Sequence, residues 1–153
     1  MAVVINGLVA LSEHVGEHLG YSSWLRVDQR RIDLFAEATG DHQWIHTDPA
    51  RAATDTKHGT TIAHGFLTLS LIPGLQSEVF RVRGVKMGLN YGSDRVRYVS
   101  PVPVDSDVRL GVELRAVEPI VENVVQVGWR FTVEIRDSRK PALVADALFR
   151  YFG

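Results

Sequence analysis

The stretch Gly40-Asp41-His42-Gln43-Trp44-Ile45-His46-Thr47-Asp48-Pro49 joins two helical patterns and carries a carboxylate and an imidazole five residues apart, where packing needs only a polar turn. Asp41 follows a helix end directly, where the macrodipole disfavours negative charge. A connection of this length can fold back and bring Asp41 and His46 into one small volume. The pair could then hold a water molecule, with the carboxylate taking its proton as general base and the imidazole orienting it or passing a proton onward. Without chemistry, the same residues make an Asx turn and a surface histidine. Asp48 is accounted for by capping, with Pro49 at the first helical position. His42 and His46 stand four apart, which would pair them on zinc only within a helix, and Gly40 and the fresh start at Pro49 argue against one. His14 and His18 share that spacing on an expected first helix, where an exposed face explains them.

Ala63-His64-Gly65 opens an apolar run. The first N–H groups of a helix have no internal partner, and with no side chain at Gly65 a carbonyl oxygen can come close to that amide and be stabilised as charge collects on it. The plainer reading is that Gly65 only makes the turn. A basic run, Arg81, Arg83, Lys86, Arg95 and Arg97, is opposed locally only by Asp94. It reads first as a solvated strand face, and it would also suit phosphates. No Gly-x-Gly-x-x-Gly, phosphate-binding P-loop or Gly-x-Ser-x-Gly elbow occurs.

The elements that must position these groups change period once along the chain. Leu8, Leu11, Val15 and Leu19 predict a first helix ending at Gly20. Trp24 to Val27 is extended. Asp28 predicts the N-cap of a second helix with Ile32, Phe35 and Ala36 on one face and Gly40 at its end. Pro49 to about Ala53 forms a third. Phe66 to Val79 is apolar nearly all round, the mark of a buried helix, with Pro73-Gly74 bending or interrupting it. From Gly84 the period is two, giving about five strands: Val85 to Tyr91, Arg95 to Val99, Val108 to Leu114, Val125 to Ile135 and Ala142 to Tyr151. Turns at Glu118-Pro119 and Asp137 to Pro141 imply antiparallel neighbours. The expected class is α+β, an antiparallel sheet packed on one long apolar helix, with 1–153 as a single domain.

The chain's 153 residues are 45% hydrophobic, enough for a core without staples. No cysteine is present, which excludes disulfides, thiol nucleophiles and cysteine-ligated metals. Seventeen Lys+Arg against eighteen Asp+Glu leave a formal charge of −1, no field for a nucleic acid partner. No stretch reaches the ~18–20 apolar residues of a membrane span, and the first residues lack the character of a secretory signal, so a cytoplasmic location is expected. Nothing in the pattern calls for a cofactor or a metal.

Gly40-Asp41-His42-Gln43-Trp44-Ile45-His46-Thr47-Asp48-Pro49, then Ala63-His64-Gly65-Phe66-Leu67, then Pro101-Val102-Pro103-Val104, resembles the MaoC-like (R)-specific enoyl-CoA hydratases, nearest to their nodulation protein N-like branch. The resemblance runs from about Trp24 to Leu110. It implies a hot-dog fold, a sheet wrapped around a central helix and dimerised through it, and reversible hydration of a trans-2-enoyl thioester to the (R)-3-hydroxyacyl thioester. It implies Asp41 and His46 as the catalytic acid and imidazole and Gly65 as the amide facing the thioester oxygen. Where the family has Asn then Pro, this chain has Gln43 and Trp44; Gln43 would steady the loop through a longer arm and Trp44 would wall the acyl pocket. Pro73 takes the place of a small polar helix residue, leaving Ser70 or Thr68 to hold the water. His64 would mark the oxyanion turn on the substrate side, and Arg95 and Arg97 would meet the phosphates of an acyl-CoA. A hot-dog thioesterase and a non-catalytic acyl-thioester-binding protein fit the same residues.

Overall fold

The structure, a computed structural model, describes residues 2–153. Four long strands, β5 (Met87–Tyr98), β6 (Ser106–Val121), β7 (Val124–Ile135) and β8 (Leu143–Phe152), follow a helical first half that also holds β1 (Val3–Asn6), β2 (His18–Tyr21), β3 (Leu25–Val27) and β4 (Phe80–Arg83). The main sheet runs β2-β6-β7-β8-β5, with β3 also paired to β6, and all of these pairings are antiparallel. Period-two patterning is visible in the result. Val127, Trp129, Phe131 and Val133 of β7 and Leu143, Ala145, Ala147, Phe149 and Tyr151 of β8 are buried, while their alternating neighbours face outward.

Against that inner face lie α5 (Gly65–Ser70) and α6 (Ile72–Val79), burying Leu67, Thr68, Ile72, Leu75 and Val79. Only Leu71 separates the two, still in right-handed helical backbone, and its N–H donates to the Leu67 carbonyl at 3.0 Å. Pro73 sits in the first turn of α6, where a missing N–H leaves no bond unmade. Phe80 stacks on Trp129 at 4.2 Å between ring centroids, closing the core under α6. The layout is the α+β hot-dog arrangement, a sheet around a central helix.

Three sequence expectations change. The predicted helix from Leu8 to Leu19 is only α1 (Gly7–Leu11) and one 3-10 turn (Ser12–His14). The remainder is taken by the edge of β6: Gly16 N–H donates to the Leu114 carbonyl at 2.7 Å, and β2 pairs with Glu113, Val112 and Gly111. His14 and His18 therefore do not share a helix face. The two strands expected over 85–99 are the single strand β5, kept continuous past Gly92 by two register shifts. Pro119 lies inside β6 opposite Val125, and the turn falls at Glu122-Asn123, with Asn123 at φ 60°.

Candidate active site

Asp28 caps α2 (Gln29–Thr39) by accepting the Arg31 N–H at 2.9 Å. At the other end Gly40 turns left-handed, φ 76°, with its N–H still donating to the Ala36 carbonyl at 2.8 Å. Glycine suits that conformation because a Cβ would strain it, and the turn carries Asp41 off the helix. Asp41 Oδ1 then accepts the Gln43 N–H at 3.3 Å, so the Asx turn forms. The chain re-enters helix at once in α3 (Trp44–Thr47), a turn the periodicity did not show, and then in α4 (Pro49–Asp55), capped by Asp48 accepting from Arg51 N–H at 3.0 Å.

His46 is 7% exposed, so it is not the surface histidine of the plainer reading. Its Nδ1 stands 2.6 Å from the Ile62 carbonyl oxygen. A carbonyl only accepts, so the proton belongs on Nδ1 and the Nε2 lone pair is left for a ligand. Burial pushes the His46 imidazole below its ordinary 6.5; the bond to Ile62 works the other way, the nearby His64 lowers it further and Asp41 raises it. The net direction favours the neutral ring. Its face stacks on His64 at 3.8 Å between centroids. Ligand atoms of Asp41, His46 and His64 all lie within 4.8 Å of one another. Distance alone would admit a metal ion, and His46 Nδ1 and His64 Nε2 are each engaged with a main-chain carbonyl, at 2.6 and 2.9 Å, which leaves one nitrogen on each ring.

A cavity of about 370 Å³ opens beside His46, lined among others by Gly65, Phe66, Thr68, Tyr98 and Val102. Gly65 begins α5, and a Cβ there would stand 3.0 Å from the Tyr98 ring. The missing side chain thus admits the Tyr98 ring as well as leaving the amide approachable. Thr68 lines this cavity, whereas Ser70 lines a neighbouring one of about 340 Å³ with Pro73, Asn90 and Phe131.

The structure separates the remaining sequence candidates from the site. Gln43 is exposed, and the loop is steadied by main-chain bonds and by Thr47 Oγ1 donating to the His42 and Gln43 carbonyls, not by the Gln43 arm. Trp44 does not line the cavity; its ring lies under the Arg51 guanidinium at 4.1 Å. His64 is 2% exposed, and its Nε2 meets the Asp41 carbonyl at 2.9 Å. Arg95 borders a charged hollow on the outer sheet face with Arg115, Arg130 and Asp146, and Arg97 donates to the Val96 carbonyl at 2.9 Å. Of the basic run, Arg81 and Arg83 lie on β4, Lys86 between the strands, and Arg95 and Arg97 on β5.

Two contributors escaped the sequence reading. Gln29, in the first turn of α2, donates from Nε2 to the His46 carbonyl at 2.7 Å and accepts from Thr61 Oγ1, tying α2, α3 and the strand-like segment before α5 together. Tyr98 walls the cavity. Neither signal is local, since the Gln29 partners lie 17 and 32 residues away.

A carboxylate and an imidazole placed together beside a cavity on a hot-dog scaffold suit the addition or removal of water, the chemistry of a hydro-lyase. The chain belongs to the MaoC-like dehydratase family: the family described as MaoC like domain matches residues 10–134. It is 50% identical over 141 residues to 3-hydroxyacyl-thioester dehydratase Z of Mycobacterium tuberculosis, covering 92% of this chain and 93% of that one. Nodulation protein N of Rhizobium leguminosarum bv. viciae is 46% identical over 140 residues, 91% and 87% of the two chains. Among solved structures, R-hydratase PhaJ1 from Pseudomonas aeruginosa superposes with a TM-score of 0.67 at 27% identity, over 88% of this chain and 79% of that one.

Proposed function

We propose that the protein reversibly hydrates a trans-2-enoyl-CoA to the (R)-3-hydroxyacyl-CoA, residues 1–153 acting as one catalytic unit. The observation that carries this reading is the buried His46, its Nδ1 held by the Ile62 carbonyl, its Nε2 left for a ligand and its ring beside both Asp41 and the cavity that begins at Gly65. In the hydration direction a water lies between the Asp41 carboxylate and His46 Nε2. One water proton passes to the pair as the oxygen bonds to C3. The C2–C3 π electrons move toward the thioester carbonyl, whose oxygen takes up negative charge and receives a hydrogen bond from the Gly65 N–H. The pair returns a proton to C2, and the carbonyl re-forms. Dehydration is the same path reversed. No group outside the chain is needed for the proton balance.

The dehydratase Z relative, named for a 3-hydroxyacyl thioester, supports the thioester class. β5 pairs only with β8 among the described residues, and Met87, Leu89, Tyr91 and Tyr98 along it are about half exposed. An open edge of that kind invites a second copy, so the reading includes a homodimer joined at β5; a monomeric mass at micromolar concentration contradicts it. Among the described residues no helix is long and apolar enough to cross a membrane, and the reading includes a cytoplasmic location.

Loss of the enoyl-thioester absorbance of crotonyl-CoA, with chiral analysis of the product, measures the reaction. Asp41→Asn and His46→Gln should each abolish it, and wild-type turnover in either sinks the assignment. Release of free CoA thiol instead would identify a thioesterase.

A further inference from the structure

We propose that His64 is a positioning residue that holds Asp41 and His46 in register, an inference that rests on the hydration reading above. His64 is 2% exposed and precedes α5, yet its side chain does not cap that helix. Its ring lies between the His46 imidazole, at 3.8 Å, and Phe35 of α2, at 5.0 Å. Its Nε2 meets the Asp41 main-chain carbonyl at 2.9 Å, which places the proton on Nε2. One side chain thus touches the end of α2, the loop carrying the carboxylate and the ring carrying the lone pair.

His64 Nδ1 is buried without a hydrogen-bond partner among the described residues. A phenyl ring would fill the same slot between Phe35 and His46 without stranding an acceptor, which is unfavourable in the interior. What imidazole adds over an apolar ring is the single donation to Asp41. That donation matters because little else holds Asp41: it follows a left-handed glycine at a helix C-terminus, and its carboxylate has one long bond, to the Gln43 N–H. With the peptide plane after Asp41 unpinned, the carboxylate would sample positions out of line with His46 Nε2. Small misplacements of reacting groups lower turnover more than ground-state binding.

Two substitutions separate the ring from the donor. His64→Phe keeps the packing and removes the N–H; His64→Gln gives up the ring and can place an amide N–H near Nε2. With crotonyl-CoA, His64→Phe should lower kcat at least about tenfold with KM changed less than about threefold, and His64→Gln should recover most of kcat. Wild-type kcat in His64→Phe overturns the proposal, as does equal loss in both variants that follows their melting temperatures. Imidazole nitrogen NMR of the wild-type protein provides a second arm that needs no turnover: it should show the Nε2–H tautomer at His64 and the Nδ1–H tautomer at His46. The opposite tautomer at His64 overturns the proposal. If the wild-type protein hydrates no enoyl-CoA while the tautomers are as stated and the His46 ring resonances move in His64→Phe with its Nδ1–H tautomer kept, the positioning role stands and the reaction assignment falls.

Discussion

On the outer face of the sheet, charged side chains meet across neighbouring strands: Arg109 with Glu134 at 2.8 Å from β6 to β7, and Arg130 with Asp146 at 2.8 and 3.1 Å from β7 to β8. These groups are about one-third exposed, and each finds its opposite charge. Around His46 the pattern is reversed. His46 and His64 direct their N–H groups at main-chain carbonyls, and Asp41 enters no ion pair among the described residues. On the outer face, side chains neutralise one another and leave little for a ligand. At the site, the backbone satisfies one nitrogen of each imidazole, and the carboxylate beside them has no cation to quench it among the described residues.

That contrast can be broken most sharply at Asp41 and His46. Asp41→Asn preserves the oxygen that accepts from Gln43, and His46→Gln preserves a polar side chain. Turnover should fall at least ~10²-fold in each, with melting temperatures close to wild type by circular dichroism; a collapse of stability in proportion to activity would mean that the site is structural after all. Gly65→Ala comes next. Its methyl would press on Tyr98 at 3.0 Å, and kcat/KM should fall by roughly ten- to a hundredfold. If Gly65→Ala with Tyr98→Ala regains full activity, the glycine serves only the tyrosine and the amide has no part in the reaction.

The acid side of the pH profile tests the desolvated imidazole. Because burial holds folded His46 below the ordinary 6.5, the unfolded chain binds more protons as pH drops. The stability this group contributes is complete above 6.5 and is lost progressively as pH falls from there through the lowered value. Urea unfolding should show that slope and His46→Gln should flatten it, with kcat/KM declining over the same acidic range as the neutral ring is lost. The smallest effect belongs to the outer face. Arg130, through its hydrogen bonds, holds the Asp146 carboxyl below the usual carboxylate range, a contribution present above 3.8 and lost as pH falls through the lowered value. In that half-screened setting Asp146→Asn should change stability by no more than about 1 kcal/mol and leave turnover unchanged.

Local chemistry was readable from the sequence, and long-range pairing was not. Asp28, Gly40, Asp48 and Pro49 announce helix ends because caps act within three or four residues, and the alternation in β7 and β8 announces their buried face. The leucines from 8 to 19 keep helical spacing, but only the distant edge of β6 shows why the second half of that segment is a strand. At the site, Asp41, His46 and Gly65 stand out by type and position. The place of His64 depends on contacts to Phe35, Asp41 and His46, all on elements that come together only on folding, and the same is true of Gln29. Trp44 and Arg95 show the converse: residue type suggested a role, and the fold sets Trp44 under the Arg51 guanidinium and Arg95 beside the Arg130–Asp146 pair, outside the lining of the cavity at His46.

The acceptor that fixes the His46 tautomer is the Ile62 carbonyl, a group carried by every amino acid. No change of codon at position 62 deletes it, and its segment is stitched at either side, Ala63 N–H to the Val102 carbonyl at 2.8 Å and Val104 N–H to the Thr61 carbonyl at 2.9 Å. The protonation pattern of the imidazole is therefore inherited with the backbone path and not with a neighbouring side chain. Drift at position 62 can reshape the cavity wall and alter which acyl groups fit, while the reactive nitrogen stays the same.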